Sequence, residues 1–351
     1  MSERQLKFVE ALKEAQDICM AADPAVYIMG LGAPDAASIF GSTKGLAEKY
    51  PDRVIDMPVS EAGMTGVALG TALSGMRPVM THIRLEFAML AMDQIVNHAA
   101  KWHYMFGGQA SAPMVIRCVV GRGWGQGPQH SQSLQAWFAH VPGLKVIMPA
   151  TPYDAKGLLI SAIEDDGPVV CLEHRWLYSI HGNVPEGHYR LPMGPATRLR
   201  EGSDVTIAAT SYMTLEAVKA AERLAAEGIS AEILDVHTLN PFDASPILES
   251  VKKTGRLIAA DTGCRNVGFA GEIVARVVEG GLKDLKEAPV RITLPDLPTP
   301  TTRALSNYYY PQPDDIVVAA RQLMGRPAGE RQKIAPEDFL DVPDSSFTGP
   351  F

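Results

Sequence analysis

The sequence predicts an α/β protein of two domains, each built on its own sheet. Three observations carry this expectation. The chain has 351 residues, more than the ~100–200 usual for one domain. Short apolar runs alternate with stretches of helical periodicity, the pattern of a parallel sheet with crossover helices. That alternation lapses in a stretch rich in Gly, Pro and His and then resumes as a second series.

In chain order, Leu6, Val9, Leu12, Ala15 and Cys19 recur at helical spacing, Asp23-Pro24 breaks the helix, and residues 26–29 read as a buried strand. Apolar runs at 53–56, 78–83, 114–120, 145–148 and 169–172 supply further strands. Residues 177–202 keep no period, so a linker at 181–203 separates a first domain, 1–180, from a second, 204–325. In the second, strands at 205–209, 231–236, 256–260 and 290–293 alternate with helices such as 214–227. Residues 326–351 carry Pro, Gly, Asp and Ser with few periodic apolar positions and read as a tail that is extended or docks on a partner.

Composition narrows the function classes. Hydrophobic residues make up 46% and charged residues 21%, ordinary for a globular protein. A formal net charge of -8 offers no phosphate-neutralising patch, so nucleic-acid binding is unsupported. No run of about 20 apolar residues could span a bilayer, and Glu3, Arg4, Lys7 and Glu10 interrupt any apolar leader. Cys19, Cys118, Cys171 and Cys264 lack metal-ligand spacing and fit a reducing cytoplasm. Chemistry on a small molecule is the expectation that remains.

Ser60-Glu61 follows a strand and opens a helix, where helix capping accounts for both residues without any catalytic role. Gly63, Gly66 and Gly70 within that helix cost stability and imply that something packs close to its backbone. The run 87–108 places Met89, Met92, Ile95, Val96, Ala99 and Ala100 at helical intervals and reads mostly as core. Between Gly121 and His130, four glycines alternate with other residues in a spacing that matches neither phosphate-loop pattern. His130, at the end of that loop, is the leading candidate for proton transfer, although most histidines merely satisfy local hydrogen bonds.

Ser60-Glu61-Ala62-Gly63, Ala91-Met92-Asp93-Gln94-Ile95-Val96-Asn97, Gln129-His130-Ser131-Gln132-Ser133-Leu134 and Pro142-Gly143-Leu144-Lys145-Val146 closely resemble the beta subunits of thiamine-diphosphate-dependent 2-oxo acid dehydrogenases. The resemblance extends through Pro152-Tyr153-Asp154-Ala155-Lys156-Gly157 and Asp235-Val236-His237-Thr238-Leu239, and is nearest to the pyruvate and acetoin branches. It implies a transketolase-like pyrimidine-binding domain followed by a transketolase C-terminal domain. By the same resemblance, an alpha subunit completes an alpha2beta2 heterotetramer, and a lipoyl acyltransferase core receives the acyl group from the 2-oxo acid.

The resemblance also implies roles. Glu61 hydrogen-bonds the aminopyrimidine of thiamine diphosphate, Ile83 and Phe87 lie against the cofactor, and His130 handles substrate. The chain lacks the Gly-Asp-Gly and asparagine motif that grips Mg2+ and diphosphate, leaving both mainly to the alpha subunit. Backbone oxygens around Met114, Ala162, Ile163, Asp165 and Gly167 match a potassium site of some relatives.

Departures from the pattern keep an alternative open. Relatives carry acidic residues where this chain has Gly30-Leu31-Gly32 and Thr81, and the following His82 and Arg84 become substrate candidates, since a guanidinium suits a carboxylate or phosphate. Asp261-Thr262-Gly263-Cys264 and His237 depart as well. Beside the dehydrogenase stands a split-subunit thiamine-dependent carboligase or ketol transferase, and behind both a noncatalytic paralogue.

Overall fold

The computed structural model describes residues 4–35, 37–122 and 125–329, and most of the expected tail, 330–351, lies outside them. Two compact units emerge: residues 4–122 with 137–193, and residues 125–136 with 194–329. The glycine-rich segment that ends in His130 thus groups with the second unit, although it falls within the 1–180 stretch of the sequence.

The first unit contains β1 (Gln5–Lys7), α1 (Phe8–Ala22), β2 (Val26–Gly30), α2 (Leu46–Lys49), β3 (Val54–Asp56), α3 (Glu61–Leu73), β4 (Arg77–His82), α4 (Leu85–Ala88) and α5 (Ala100–Met105). It continues with β5 (Val115–Val120), α6 (Gln135–Ala139, whose first two residues group with the second unit), β6 (Lys145–Ile147), α7 (Pro152–Ile163), β7 (Val169–His174) and β8 (His181–Asn183). Its main strands run in the order β6-β7-β5-β4-β2-β3, all parallel. β2, β5 and β7 are buried along their whole length, which is why they read as continuous apolar runs rather than alternating ones. Of the expected stripe, Leu12, Ala15 and Cys19 are buried in α1 beside Phe8 and Ala11, whereas Val9 is half-buried and Leu6 belongs to β1, and the helix packs on α7. Strand order reverses beside β2, which has β3 on one side and β4 on the other; the carboxyl end of such a switch point is where open α/β sheets bind ligands.

One buried network ties this unit together. Arg117 of β5 donates to both oxygens of Glu173 on β7, at 2.6 and 2.8 Å, and to Gln16 of α1 at 3.0 Å. Tyr178 donates to Glu173 at 2.6 Å. Both charges are fully buried, and burial pulls the Arg117 pKa down, but the Glu173 carboxylate outweighs it and holds the guanidinium above its ordinary value.

The second unit comprises β9 (Thr197–Arg200), β10 (Val205–Ala209), α8 (Tyr212–Ala226), β11 (Ala231–Asp235), β12 (Thr238–Asn240) and α9 (Ser245–Thr254). After these come β13 (Leu257–Cys264), α10 (Phe269–Gly281), β14 (Val290–Leu294), α11 (Arg303–Tyr309) and α12 (Pro313–Leu323). Its sheet runs β14-β13-β10-β11-β9, with only β9 antiparallel to its neighbour. Val205, Ile207, Ile233 and Ile258 of the sheet pack with Ala217 and Leu224 of α8 and Ile316 and Leu323 of α12.

Two expectations need correction. The 177–202 stretch is not without structure: β8 pairs antiparallel with β1, and β9 joins the second sheet. Those strands are made by pairing, not by an apolar pattern, so period alone could not reveal them. The 87–108 run is not one regular helix, because α4 leads through a 3-10 turn at Met89–Ala91 and a π-helix at Asp93–Ala99 into α5.

A candidate active site at the carboxyl edge of the first sheet

Glu61 is the first residue of α3, the helix that follows β3. Its residue is only 9% exposed, and among the described residues no hydrogen-bond or ion-pair partner meets its carboxylate. Helix capping, which would have explained Ser60-Glu61 without chemistry, is not made by Ser60: the serine occupies the cap position but its side chain makes no cap hydrogen bond. A carboxylate so placed keeps its acceptor capacity and gains from the amino-terminal helix dipole.

Of the α3 glycines, Gly63 is crowded from within, since a Cβ there would stand 2.8 Å from Ser60 Oγ. A Cβ on Gly70 would meet nothing within 4 Å and one on Gly66 only the Gln94 side chain at 3.8 Å, so at these two positions the close packing that the sequence implied is not supplied by this chain's described residues.

At the end of β4, the sequence candidates separate. His82 is 2% exposed, and its Nε2 lies 3.3 Å from the Thr65 hydroxyl on α3, one turn beyond Glu61. Burial pushes its pKa down to about 4, so it is a neutral link from β4 to the helix of Glu61 and does not present itself to substrate. Ile83 is half-buried, and Phe87 of α4 keeps 38% of its surface exposed, as a ring available to a flat ligand would. Arg84 is neither solvent-facing nor isolated: it is 2% exposed and donates to the Gly121 carbonyl at 3.2 Å. The Thr81 hydroxyl, buried at the same strand end, has no hydrogen-bond partner among the described residues.

Three basic residues that sequence reasoning passed over complete this edge. Arg122 follows β5, His174 ends β7 and Arg175 follows it. Their signal was available, since each stands at the carboxyl end of an apolar run, the position where parallel sheets place their chemistry.

His130 lies in the second unit, half-buried on a bend, with its backbone N–H donating to Gly127 O at 3.3 Å. Its segment is anchored within that unit, because Gln135 donates to Asp261 at 2.7 Å, and Asp261 also accepts from Thr210 at 2.7 Å. Asp261 and His237, two departures from the family pattern, are interior; burial pushes the His237 pKa down to about 4.

The five potassium candidates sit at the opposite, amino edge of the first sheet. There Arg77 donates to Ile163 O at 3.2 Å and Asp165 O at 2.9 Å, and Val169 N–H donates to Met114 O at 3.0 Å. A guanidinium already supplies the positive charge to two of these oxygens, which fits poorly with an added cation. No group of three or more His, Cys, Asp or Glu among the described residues is arranged to hold a metal.

Comparison with known proteins accounts for this arrangement. The family Transketolase, pyrimidine binding domain, matches residues 4–180, and Transketolase, C-terminal domain, matches residues 194–316. The beta subunit of acetoin:2,6-dichlorophenolindophenol oxidoreductase from Cupriavidus necator is 43% identical over 331 residues, 92% of this chain and 98% of that protein. The chain belongs to the beta subunits of thiamine-diphosphate-dependent 2-oxo acid dehydrogenases. Within that beta-subunit family, the mitochondrial pyruvate dehydrogenase E1 component subunit beta-2 of Oryza sativa subsp. japonica is 44% identical over 325 residues, covering 91% of this chain and 86% of the relative. A solved structure described as a split gene transketolase, an inactive beta4 tetramer, superposes with a TM-score of 0.74 at 27% identity, over 91% of this chain and 99% of its own. The family thus explains the two α/β domains. None of the helices among the described residues is long and apolar enough to cross a membrane.

Proposed function

We propose that this chain is the beta subunit of a 2-oxo acid dehydrogenase and supplies the pyrimidine-binding half of a thiamine-diphosphate site. Glu61 carries the reading: a nearly buried carboxylate, without an internal partner, at the switch-point edge of the sheet. Its carboxyl group would share a proton with the aminopyrimidine ring nitrogen in a hydrogen bond and so favour the imino tautomer. Thiamine diphosphate supplies the nucleophilic carbon and electron sink for decarboxylation or for cleavage of acetoin. Thr65 and His82 hold the first turns of α3, and with them Glu61, against β4. Ile83 and Phe87 provide apolar surface beside the ring, and His130 manages a proton or the developing charge on the substrate.

An alpha subunit supplies the grip on Mg2+ and diphosphate, in an alpha2beta2 heterotetramer located in the cytoplasm, and a lipoyl acyltransferase accepts the acyl group. The open positions Gly66 and Gly70 of α3 suit close approach by such a partner. Potassium has no step in this reading. The test is reconstitution with an alpha-type subunit, thiamine diphosphate and Mg2+, following reduction of dichlorophenolindophenol. Turnover that depends on a 2-oxo acid or on acetoin is expected. Turnover only with sugar phosphates or aldehyde acceptors would transfer the chain to the carboligase or ketol-transferase class.

A further inference from the structure

The second unit holds a cavity that the proposed reaction does not use. Its volume is about 330 Å³, and it lies along β14, the strand that ends the order β14-β13-β10-β11-β9. Arg291, Ile292, Thr293 and Leu294, consecutive in the strand, all line it. Successive strand side chains point to opposite faces, so a cavity that touches such a run follows the strand's edge instead of sitting on one face. Among the described residues β14 pairs only with β13, and Val290, Arg291, Ile292 and Thr293 are all half-buried. An uncovered edge rich in β-branched residues is a template for an added extended segment, and folded proteins cover such edges.

The rest of the lining is aromatic and basic. Tyr309 donates to Leu297 O at 2.9 Å and packs edge-on to Tyr310 with ring centres 5.0 Å apart, whereas Tyr308 keeps 62% of its surface exposed. Arg291 donates to the Arg265 carbonyl at 3.0 Å, and the Arg265 side chain borders the same cavity from an exposed position. Neither guanidinium forms an ion pair among the described residues. Asp315, which also lines the cavity, accepts from the Gln312 N–H at 2.8 Å at the start of α12. Such a lining suits an aromatic ring flanked by carboxylates.

The chain carries that combination in its own tail. Residues 334–351 contain no Lys or Arg, and Glu337-Asp338-Phe339-Leu340-Asp341 places carboxylates on both sides of a ring. The tether is short. Arg321 of α12 donates to the Ala328 carbonyl at 3.2 Å, which holds the start of the tail beside that helix. Asp315, at the cavity, stands in the first turn of the same helix, only about 9 Å along the axis from Arg321. The stretch from Ala328 to Phe339 spans up to about 36 Å when extended, several times that distance. A flexible tether of this length gives an effective concentration on the order of mM, so a modest fit is enough to fill the cavity.

We infer that residues 338–341 dock on the β14 edge of their own chain, with the Phe339 ring in the cavity beside Tyr308 and Tyr310 and with Asp338 and Asp341 paired to Arg265 and Arg291. The inference is independent of the 2-oxo acid reading and gives the segment beyond the family resemblance a place on the second domain.

Hydrogen exchange of the full-length chain tests it, with wild type set against Phe339→Ala and against Asp338→Asn combined with Asp341→Asn. Each change should speed exchange of the amides at 290–294 about 10-fold and leave α8 unaltered, and Arg265→Gln should reproduce the effect of the paired change. Unaltered exchange at 290–294, or an equal rise in α8, would overturn the inference. A labelled peptide of residues 334–345 gives a second readout. It should bind the Phe339→Ala chain about 10-fold more tightly than wild type, whose own tail holds the site, and lose that gain when Arg265→Gln is added. Equal binding to the two chains, or binding to neither, would overturn the inference. So would capture of the peptide by an added alpha-type subunit in place of this chain, which would assign the tail to that partner.

Discussion

Strands β5 and β7 bear charge in two places, and the two are built in opposite ways. Within the sheet, Arg117 and Glu173 face one another fully buried, with Gln16 and Tyr178 completing their hydrogen bonds. At the carboxyl ends of the same strands, Arg122, His174 and Arg175 gather with Arg84. The first place closes its charge account internally and serves the fold. The second lies at the edge where parallel sheets bind ligands, with Arg122 stacked on Trp176, Arg175 stacked on Phe40 and Arg175 partly exposed.

Substitution separates the two most sharply. Glu173→Gln leaves Arg117 buried without its counter-charge and is expected to cost about 3–5 kcal/mol of stability. Urea unfolding measures it, and a cost below about 1 kcal/mol would show that the balanced network is not structural. Acidification is the next largest effect. His82 and His237 are pushed down to about 4 and His174 to about 3, from an unfolded value near 6.5. Their contribution is therefore complete above pH 6.5 and is lost as pH falls from 6.5 towards 4, where the unfolded chain takes up protons that the folded one refuses. Each depressed imidazole is worth on the order of 3 kcal/mol. Urea midpoints from pH 7.5 to 5 should fall, with a shallower slope for His82→Gln; equal slopes would show that His82 is not held neutral.

The cationic edge should respond differently. Arg175→Gln is expected to cost less stability than Glu173→Gln, since Arg175 is partly exposed and its loss leaves no fully buried counter-charge of the Arg117 kind behind. A loss as large as that of Glu173→Gln would erase the distinction between the two places. Smallest of all is the response to potassium. With Arg77 donating to the Ile163 and Asp165 carbonyls, exchange of K+ for Na+ should leave the melting temperature unchanged, and a K+-specific rise would reveal a cation bound despite that guanidinium.

Much of the fold was legible because burial on both faces writes parallel strands as apolar runs. The expected strand at 205–209 coincides with β10, and that at 26–29 falls one residue short of β2. β8 and β9 were not legible, since hydrogen-bonded pairing, not burial, defines them. The place of Glu61 at the start of a helix that follows a strand was legible in its motif, but the approach of His174 to Gly121 was not. Those two residues lie at the ends of strands far apart in sequence, and only the sheet order brings them together. Type alone also misled at His82, which looked like a substrate ligand and is an interior link to α3.

The central claim is that Glu61 is a functional carboxylate and not a helix-terminal ornament. Steady-state turnover of a 2-oxo acid by the reconstituted complex, wild type against Glu61→Gln, tests it most directly, with assembly checked by gel filtration. A fall of about 10²- to 10⁴-fold in kcat with an intact complex is the predicted result; turnover within about twofold of wild type would contradict the account.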